Sequence, residues 1–410
     1  MSISQRAVLG IMIILTIVEP GAAQDPMPVA TPAEVGLSAD GLDRVTELLD
    51  RFVSEGKIAG AVAGVAREGR QVYLEAVGYQ DLETRSRMQS ESLFRIYSMT
   101  KPVTAVAAMI LHEEGQFDLD DPVSMYLPEF AGVRVQMSDG PSRPPTLPIT
   151  VRDLMLHTAG LSHRGSQLYR DLAVRSRSIP MEQFIRNITS APLMEDPGER
   201  FRYSAAPTVL GALVEVWSGS SLDVFLRALV FEPLGMNQTG FWVEPSRAER
   251  LTTVYERRED GALVRYQIED VPFTERPQLL EGAVGLVSTV SDFMRFSQML
   301  LNGGELDGVR ILEPETVSLM TANGLTEAPL ATRRSGTGWG LSNVSVMLDP
   351  STVDYPTSVG EYGWDGSAGT IFWVNPTEDL VIVLMWQSSP ANPEGLRQQA
   401  KALIHEALIR

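Results

Sequence analysis

The 410-residue chain reads as an α+β protein. Three observations carry that reading. Strand-like apolar runs lie near both ends of the chain, at 59–66, 71–77, 368–374 and 380–386. Helical patterns rich in proline and arginine fill the middle, roughly 118–285. An all-round apolar helix follows Lys101, as a buried helix would. The simplest assembly is one mixed, antiparallel-rich sheet drawn from both ends, flanked by helices, with a mostly helical lobe inserted. That places one lobe at 24–117 and 286–410 and the inserted lobe at 118–285. A cleft between two such lobes is a usual place for a binding site.

Residues 1–23 have the pattern of a secretory signal. Arg6 starts it, Ala7 to Val18 is apolar but short for a membrane span, and Pro20-Gly21-Ala22-Ala23 offers small residues for cleavage near Ala23. A periplasmic or secreted protein with no stable membrane anchor is expected. Ser38 to Val53 then has helical spacing, with Leu42, Val45, Leu48, Leu49 and Phe52 on one face. Arg67-Glu68-Gly69-Arg70 reads as a hairpin turn between the first two strands. Arg134 to Pro148 is polar and Pro-rich, a loop. Near the C-terminus, Asn375 to Asp379 is a turn between the last two strands, and Pro393 to Ile409 a closing helix.

Composition removes several function classes. A formal net charge of −18, from 52 acidic and 34 basic residues, opposes nucleic-acid and anionic-membrane partners. With no cysteine, disulfides, thiol nucleophiles and thiolate metal sites are excluded. Four histidines, at 112, 157, 163 and 405, form no zinc-like pattern, so neither metal nor cofactor is expected. There is no Gly-x-Ser-x-Gly elbow, P-loop or dinucleotide fingerprint.

Lysine occurs only at Lys57, Lys101 and Lys401. One of these follows a serine by three residues at the start of the apolar helix, in Ser98-Met99-Thr100-Lys101-Pro102. On a helix, i and i+3 share a face, so the amine reaches the hydroxyl. Guanidinium cannot serve as a base, whereas a desolvated lysine can lose its proton and activate a serine. The helix start also favours a developing negative charge. From these residues alone a second reading stands equally: a serine cap with its lysine reaching solvent. Ser54-Glu55-Gly56-Lys57 repeats the spacing, but Gly56 marks it as a helix end.

Three other segments are candidates. Tyr203 follows the turn Pro197-Gly198 and could shuttle protons, or pack in the core as one of ten tyrosines, the simpler reading. Tyr362-Gly363-Trp364-Asp365-Gly366-Ser367-Ala368-Gly369-Thr370 reads as a Gly-rich turn before a strand, whose edge could lend an N–H to an oxyanion. Leu154 to Leu161 is a helix end with a glycine stop, and His157 within it reads as structural.

Together these segments resemble the serine β-lactamase/penicillin-binding-protein fold, and in particular the class C β-lactamase-related esterases known as family VIII carboxylesterases. The match covers roughly 33–409 and includes Gly285 to Thr289. The resemblance implies that Ser98 is the acylated nucleophile, that Lys101 and Tyr203 are its proton-transfer partners, and that the backbone N–H groups of Ser98 and Ser367 form the oxyanion hole. Trp364, Asp365 and Gly366 would line the substrate site. Two departures point away from β-lactams: Ala205 stands where an asparagine is usual, and Trp364-Asp365-Gly366 where Lys-Thr-Gly is usual. The lost lysine, with Asp365 adding negative charge, predicts poor binding of anionic substrates and a preference for neutral esters. Acyl transfer, weak β-lactamase or D-aminopeptidase activity, and a non-catalytic sensor are the competing expectations.

Overall fold

The computed structural model describes residues 27–163, 165–174 and 176–409. The signal-like segment lies outside the described residues. Helix α1 (Ala39–Ser54) begins at Ser38, whose side chain accepts the Gly41 N–H, and buries Leu42, Val45, Leu48, Leu49 and Phe52. Strands β1 (Gly60–Arg67) and β2 (Arg70–Asp81) follow. Their turn is tight, with Glu68 and Gly69 both at positive φ, the geometry a two-residue hairpin needs. β2 runs four residues beyond the predicted Val77.

After β3 (Ser86–Arg87) comes the helix carrying the Ser-x-x-Lys sequence, α2 (Thr100–Glu113). Eleven of its residues are buried, Lys101 among them. Ser98 itself sits in a 3-10 turn, Tyr97–Met99, that leads straight into α2. Further on lie α3 (Val151–Leu156), α4 (Ala206–Ser218) and α5 (Val290–Leu301). The middle also holds two short paired strands, Tyr255–Arg257 and Leu263–Arg265, which the sequence pattern does not reveal. The remaining strands of the main sheet are β4 (Thr337–Trp339), β5 (Ser345–Met347), β6 (Tyr362–Asp365), β7 (Ile371–Asn375) and β8 (Leu380–Trp386). α6 (Leu396–Glu406) closes the chain, after a separate turn at Pro393–Gly395.

These strands form one eight-stranded sheet in the order β4-β5-β6-β7-β8-β1-β2-β3, antiparallel at each described pairing. N- and C-terminal strands meet where β1 pairs β8, Ala61 opposite Trp386 through Arg67 opposite Leu380. Both strands are buried on both faces, so they read as continuous apolar runs rather than alternating ones. On one face, α1 and α6 pack over Ala61, Ala63, Val65 and Ile382. On the other, Val62, Val383 and Phe372 join the core of α2, α4 and α5. The approach is close: a Cβ on Gly64 would sit 2.4 Å from Met294 Sδ.

The segment read as a Gly-rich turn is instead β6 and the hairpin turn after it. Glycines at 363 and 366 hide the strand pattern, since glycine is a poor strand former. Gly363 lets β6 lie against β7, where an added Cβ would be 2.1 Å from Phe372 O. Gly366 brings the hairpin against the backbone just before Ser98. A Cβ there would fall 2.6 Å from Ile96 O and 2.1 Å from Thr370 Oγ1.

Gly366→Ala is therefore expected to push the hairpin off the Ser98 turn and to destabilise the protein by about 1–3 kcal/mol. Urea unfolding measures this; an unchanged midpoint would contradict so close an approach.

Candidate functional site

Two ribbon residues and a loop fix Ser98. Phe94–Arg95 pairs Val287–Ser288, and Ile96 N–H donates to Leu286 O at 3.0 Å. Leu286 N–H in turn donates to Thr100 Oγ1 at 3.1 Å. Ser98 is left almost buried at 9% exposure, and Lys101 fully so at 1%. The Lys101 Nζ donates to Ser98 Oγ at 3.0 Å and to Ala283 O at 2.9 Å. The Gly282–Ala283 peptide is itself clamped at both ends. Thr104 Oγ1, on α2, donates to Gly282 O at 2.8 Å, and Ala283 N–H donates to Thr208 Oγ1, on α4, at 3.3 Å. The amine is thus aimed by a carbonyl 182 residues away in sequence.

Tyr203 lies just before α4, in the segment that ends at Ala205. Its ring faces the ammonium, 4.6 Å from Lys101 Nζ to the ring centroid. Its hydroxyl accepts a hydrogen bond from Trp364 Nε1 at 2.9 Å. With that N–H occupying one side of the oxygen, the phenol proton points elsewhere. The amine thus bonds the serine hydroxyl and lies over the phenol ring, a grouping of residue types suited to moving a proton off a nucleophile and onto a leaving group. Tyr203 is only partly buried, so its packing against the core does not remove it from the cleft.

Strand pleating sorts the motif around Trp364. Trp364 lies opposite Phe372 and Asp365 opposite Ile371, so the two point to opposite faces. Trp364 joins an aromatic wall with Trp339, whose ring centroid is 4.5 Å away, and with Tyr203 at 5.3 Å. Asp365 turns toward α6 and pairs with Arg397, which also donates to Gly366 O at 2.9 Å. Its negative charge is cancelled locally and is not presented beside Tyr203. Ser367 is exposed in the hairpin turn, whose backbone bonds are made by the Gly366 and Gly369 N–H groups. Ala205 is buried at the start of α4. Trp339, Ala283, Thr104 and Thr208 were not singled out in the sequence; only the glycines flanking Trp339 hint at a special position.

The second Ser-x-x-Lys copy is a surface feature. Lys57 pairs with Glu55 at 2.5 Å and Glu394 at 2.6 Å, while Ser54 Oγ donates to Arg51 O. His157 is structural in its bonding. It ends α3 in the left-handed conformation, so the helix stop is this residue rather than the expected glycine. Its Nδ1 accepts the Ser204 N–H at 3.2 Å and lies 3.1 Å from Ser204 Oγ, which anchors the residue next to Tyr203. Among the described residues no cluster of histidines and carboxylates is arranged to hold a metal ion.

Burial, followed by the nearby charge of Lys101, holds the His157 pKa well below the ordinary histidine value. The folded protein then keeps His157 neutral at a pH where the unfolded chain protonates it. Stability is fully present above about pH 6.5 and falls below it, by about 1.4 kcal/mol per pH unit from this residue alone. Urea unfolding between pH 7 and pH 5 measures the slope. His157→Leu should flatten it by that amount, and an equal slope in the variant would rule the histidine out as its source.

The Beta-lactamase family model matches residues 45–407. Esterase EstB of Burkholderia gladioli is 32% identical, over 89% of this chain and 95% of that protein. Acyltransferase calJ of Penicillium decumbens is 26% identical, over 80% of this chain and 84% of that protein. Among solved structures, EstCE1, described as a hydrolase with promiscuous acyltransferase activity, superposes with a TM-score of 0.79 at 29% identity, covering 90% of this chain and 99% of that one. With the family model spanning nearly the whole described chain, and the sheet and Ser98–Lys101 contact in place, this protein belongs to the beta-lactamase family.

Proposed function

We propose that the protein is a serine carboxylesterase that hydrolyses short-to-medium neutral carboxylic esters through an acyl-enzyme on Ser98. The observation that carries this reading is the buried Lys101 Nζ held 3.0 Å from Ser98 Oγ. The likeness to Esterase EstB and to EstCE1 supports it.

In this mechanism the Ser98 hydroxyl gives its proton to the Lys101/Tyr203 pair as its oxygen attacks the ester carbonyl. The backbone N–H groups of Ser98 and Ser367 stabilise the tetrahedral oxyanion, at about 3 kcal/mol for one such donor. The ester C–O bond breaks, and Tyr203 returns the proton to the departing alkoxide. Water, deprotonated by the same pair, then attacks the acyl-enzyme and frees the acid and the Ser98 hydroxyl. The aromatic wall of Trp364 and Trp339 suits uncharged groups next to the reacting carbonyl. An alcohol leaves more readily than an amine, which fits Ala205 in the place of an amide-holding asparagine.

Acyl transfer to an alcohol is the second reading. It is favoured by the likeness to EstCE1 and to Acyltransferase calJ, and needs only that an alcohol replace water in the last step. We also infer export through residues 1–23, with cleavage near Ala23; immunoblotting of periplasmic and cytoplasmic fractions checks it, and a full-length cytoplasmic product would refute it.

Ser98→Ala should lower kcat on p-nitrophenyl butyrate at least about a thousandfold. Lys101→Arg should be nearly as damaging as Lys101→Ala, because the arginine keeps the charge but supplies no base. An arginine variant that keeps most activity would remove the base role. Nitrocefin should turn over far more slowly than the butyrate ester, and a fluorophosphonate should label wild type but not Ser98→Ala. Absence of labelling and of ester turnover in wild type would leave only a binding protein.

A further inference from the structure

Tyr97, the residue before the nucleophile, stands at a φ of 42°. That is left-handed backbone, which a bulky side chain adopts only where its surroundings impose it. The Tyr97–Ser98 peptide carries the Ser98 N–H, so the direction of that donor is set at Tyr97. The backbone is tied on either side of it. Ile96 N–H donates to Leu286 O at 3.0 Å, and Met99 N–H donates to Ile96 O at 3.0 Å.

The side chain accounts for the conformation. Tyr97 is buried in a small core of its own with Phe273, Ala283, Val284 and Ala368. Its ring meets Phe273 edge-on, with centroids 6.2 Å apart. Its hydroxyl donates to Glu269 Oε2 at 3.1 Å, a bond strengthened by the charge of the acceptor. Returning φ to negative values would carry the Cβ, and the ring with it, away from both partners. Glu269 is braced in turn. Asp270 beside it accepts Ser176 Oγ at 2.6 Å and the Arg177 N–H at 3.0 Å, and Gln278 N–H donates to Arg177 O at 2.9 Å. The Arg177 guanidinium lies 3.8 Å from the Phe273 ring centroid. Further along, the same segment presents Ala283, whose carbonyl accepts from Lys101.

We propose that Tyr97, tied to Glu269, is a positioning residue for the oxyanion hole: the pair holds the Tyr97 backbone left-handed and so aims the Ser98 N–H at the carbonyl oxygen of a bound ester. The inference rests on the esterase reading and deepens it. Lys101 bonds the Ser98 hydroxyl, while Tyr97 directs the Ser98 N–H. One segment braces both, with Glu269 near its start and Ala283 near its end. The hairpin that carries Ser367 rests on the backbone at Ile96, where a Cβ on Gly366 would fall 2.6 Å from Ile96 O. The two N–H groups of the hole are therefore set by contacts to neighbouring residues, Ile96 for one and Tyr97 for the other.

Phenyl butyrate and its thiono counterpart, in which sulfur replaces the carbonyl oxygen, test the proposal. Sulfur is a weak hydrogen-bond acceptor, so the thionoester draws little on the hole. Tyr97→Phe should lower kcat on phenyl butyrate about tenfold with KM unchanged, as for an interaction made only in the transition state. The same variant should slow the thionoester by less than about twofold. Glu269→Leu should repeat that pattern. Glu269→Gln, whose amide oxygen still accepts the phenol proton, should restore most of the rate. Fluorophosphonate labelling taken to completion counts the active enzyme, so misfolded protein does not enter kcat. An unchanged kcat in Tyr97→Phe, or one common factor for ester and thionoester, would overturn the positioning role. If wild type hydrolyses neither substrate, the esterase reading itself fails, and the positioning role falls with it.

Discussion

The rest of the site depends on one buried amine held between a hydroxyl and a carbonyl. Burial works against any charged amine, and ordinary buried lysines answer with a carboxylate. Lys401 is the internal comparison: it is completely buried and pairs with Glu361, which Asn375 and Thr357 also bond. Lys101 donates to Ser98 Oγ and to Ala283 O. A carbonyl takes an N–H without neutralising the group, and a hydroxyl can exchange roles with the amine. The same fold thus holds one buried lysine against the carboxylate of Glu361 and another against the hydroxyl of Ser98.

Holding Lys101 that way demands much of residues far from it. Ala283 belongs to a segment without regular secondary structure, and such a carbonyl could turn away. It is restrained by hydroxyls from two helices that grip the peptide unit just before it, Thr104 from α2 and Thr208 from α4. A glycine at 282 is needed for this, because a Cβ would meet Pro207 O at 2.6 Å. The helix bearing the lysine and the helix following the tyrosine are therefore tied to each other next to the acceptor of the amine. Packing of α2 on α4 and the direction of the Lys101 side chain are one constraint.

This division explains what the sequence could and could not show. Ser98 and Lys101 are three residues apart, so local geometry alone brings them together. β1 and β8 are legible because burial on both faces leaves unbroken apolar runs. Trp364 and Tyr203 are 161 residues apart, and nothing local to either announces their hydrogen bond. β6 was hidden by the glycines that its close contacts require. Asp365 was misread for want of its partner: the carboxylate looked like a charge in the cleft, but pleating turns it to the other face, where Arg397 waits.

Trp364 touches both the phenol and the aromatic wall. A lysine at that place would supply both a charge for an anionic substrate and a donor near the tyrosine oxygen. The indole separates the two tasks. Its N–H keeps the donor, at 2.9 Å from Tyr203 Oη, and its ring offers an apolar surface in place of the charge. Gly363 and Gly366 let the backbone close in on either side, so the indole is held against the phenol by the same close contacts that fix the hairpin to the Ser98 turn.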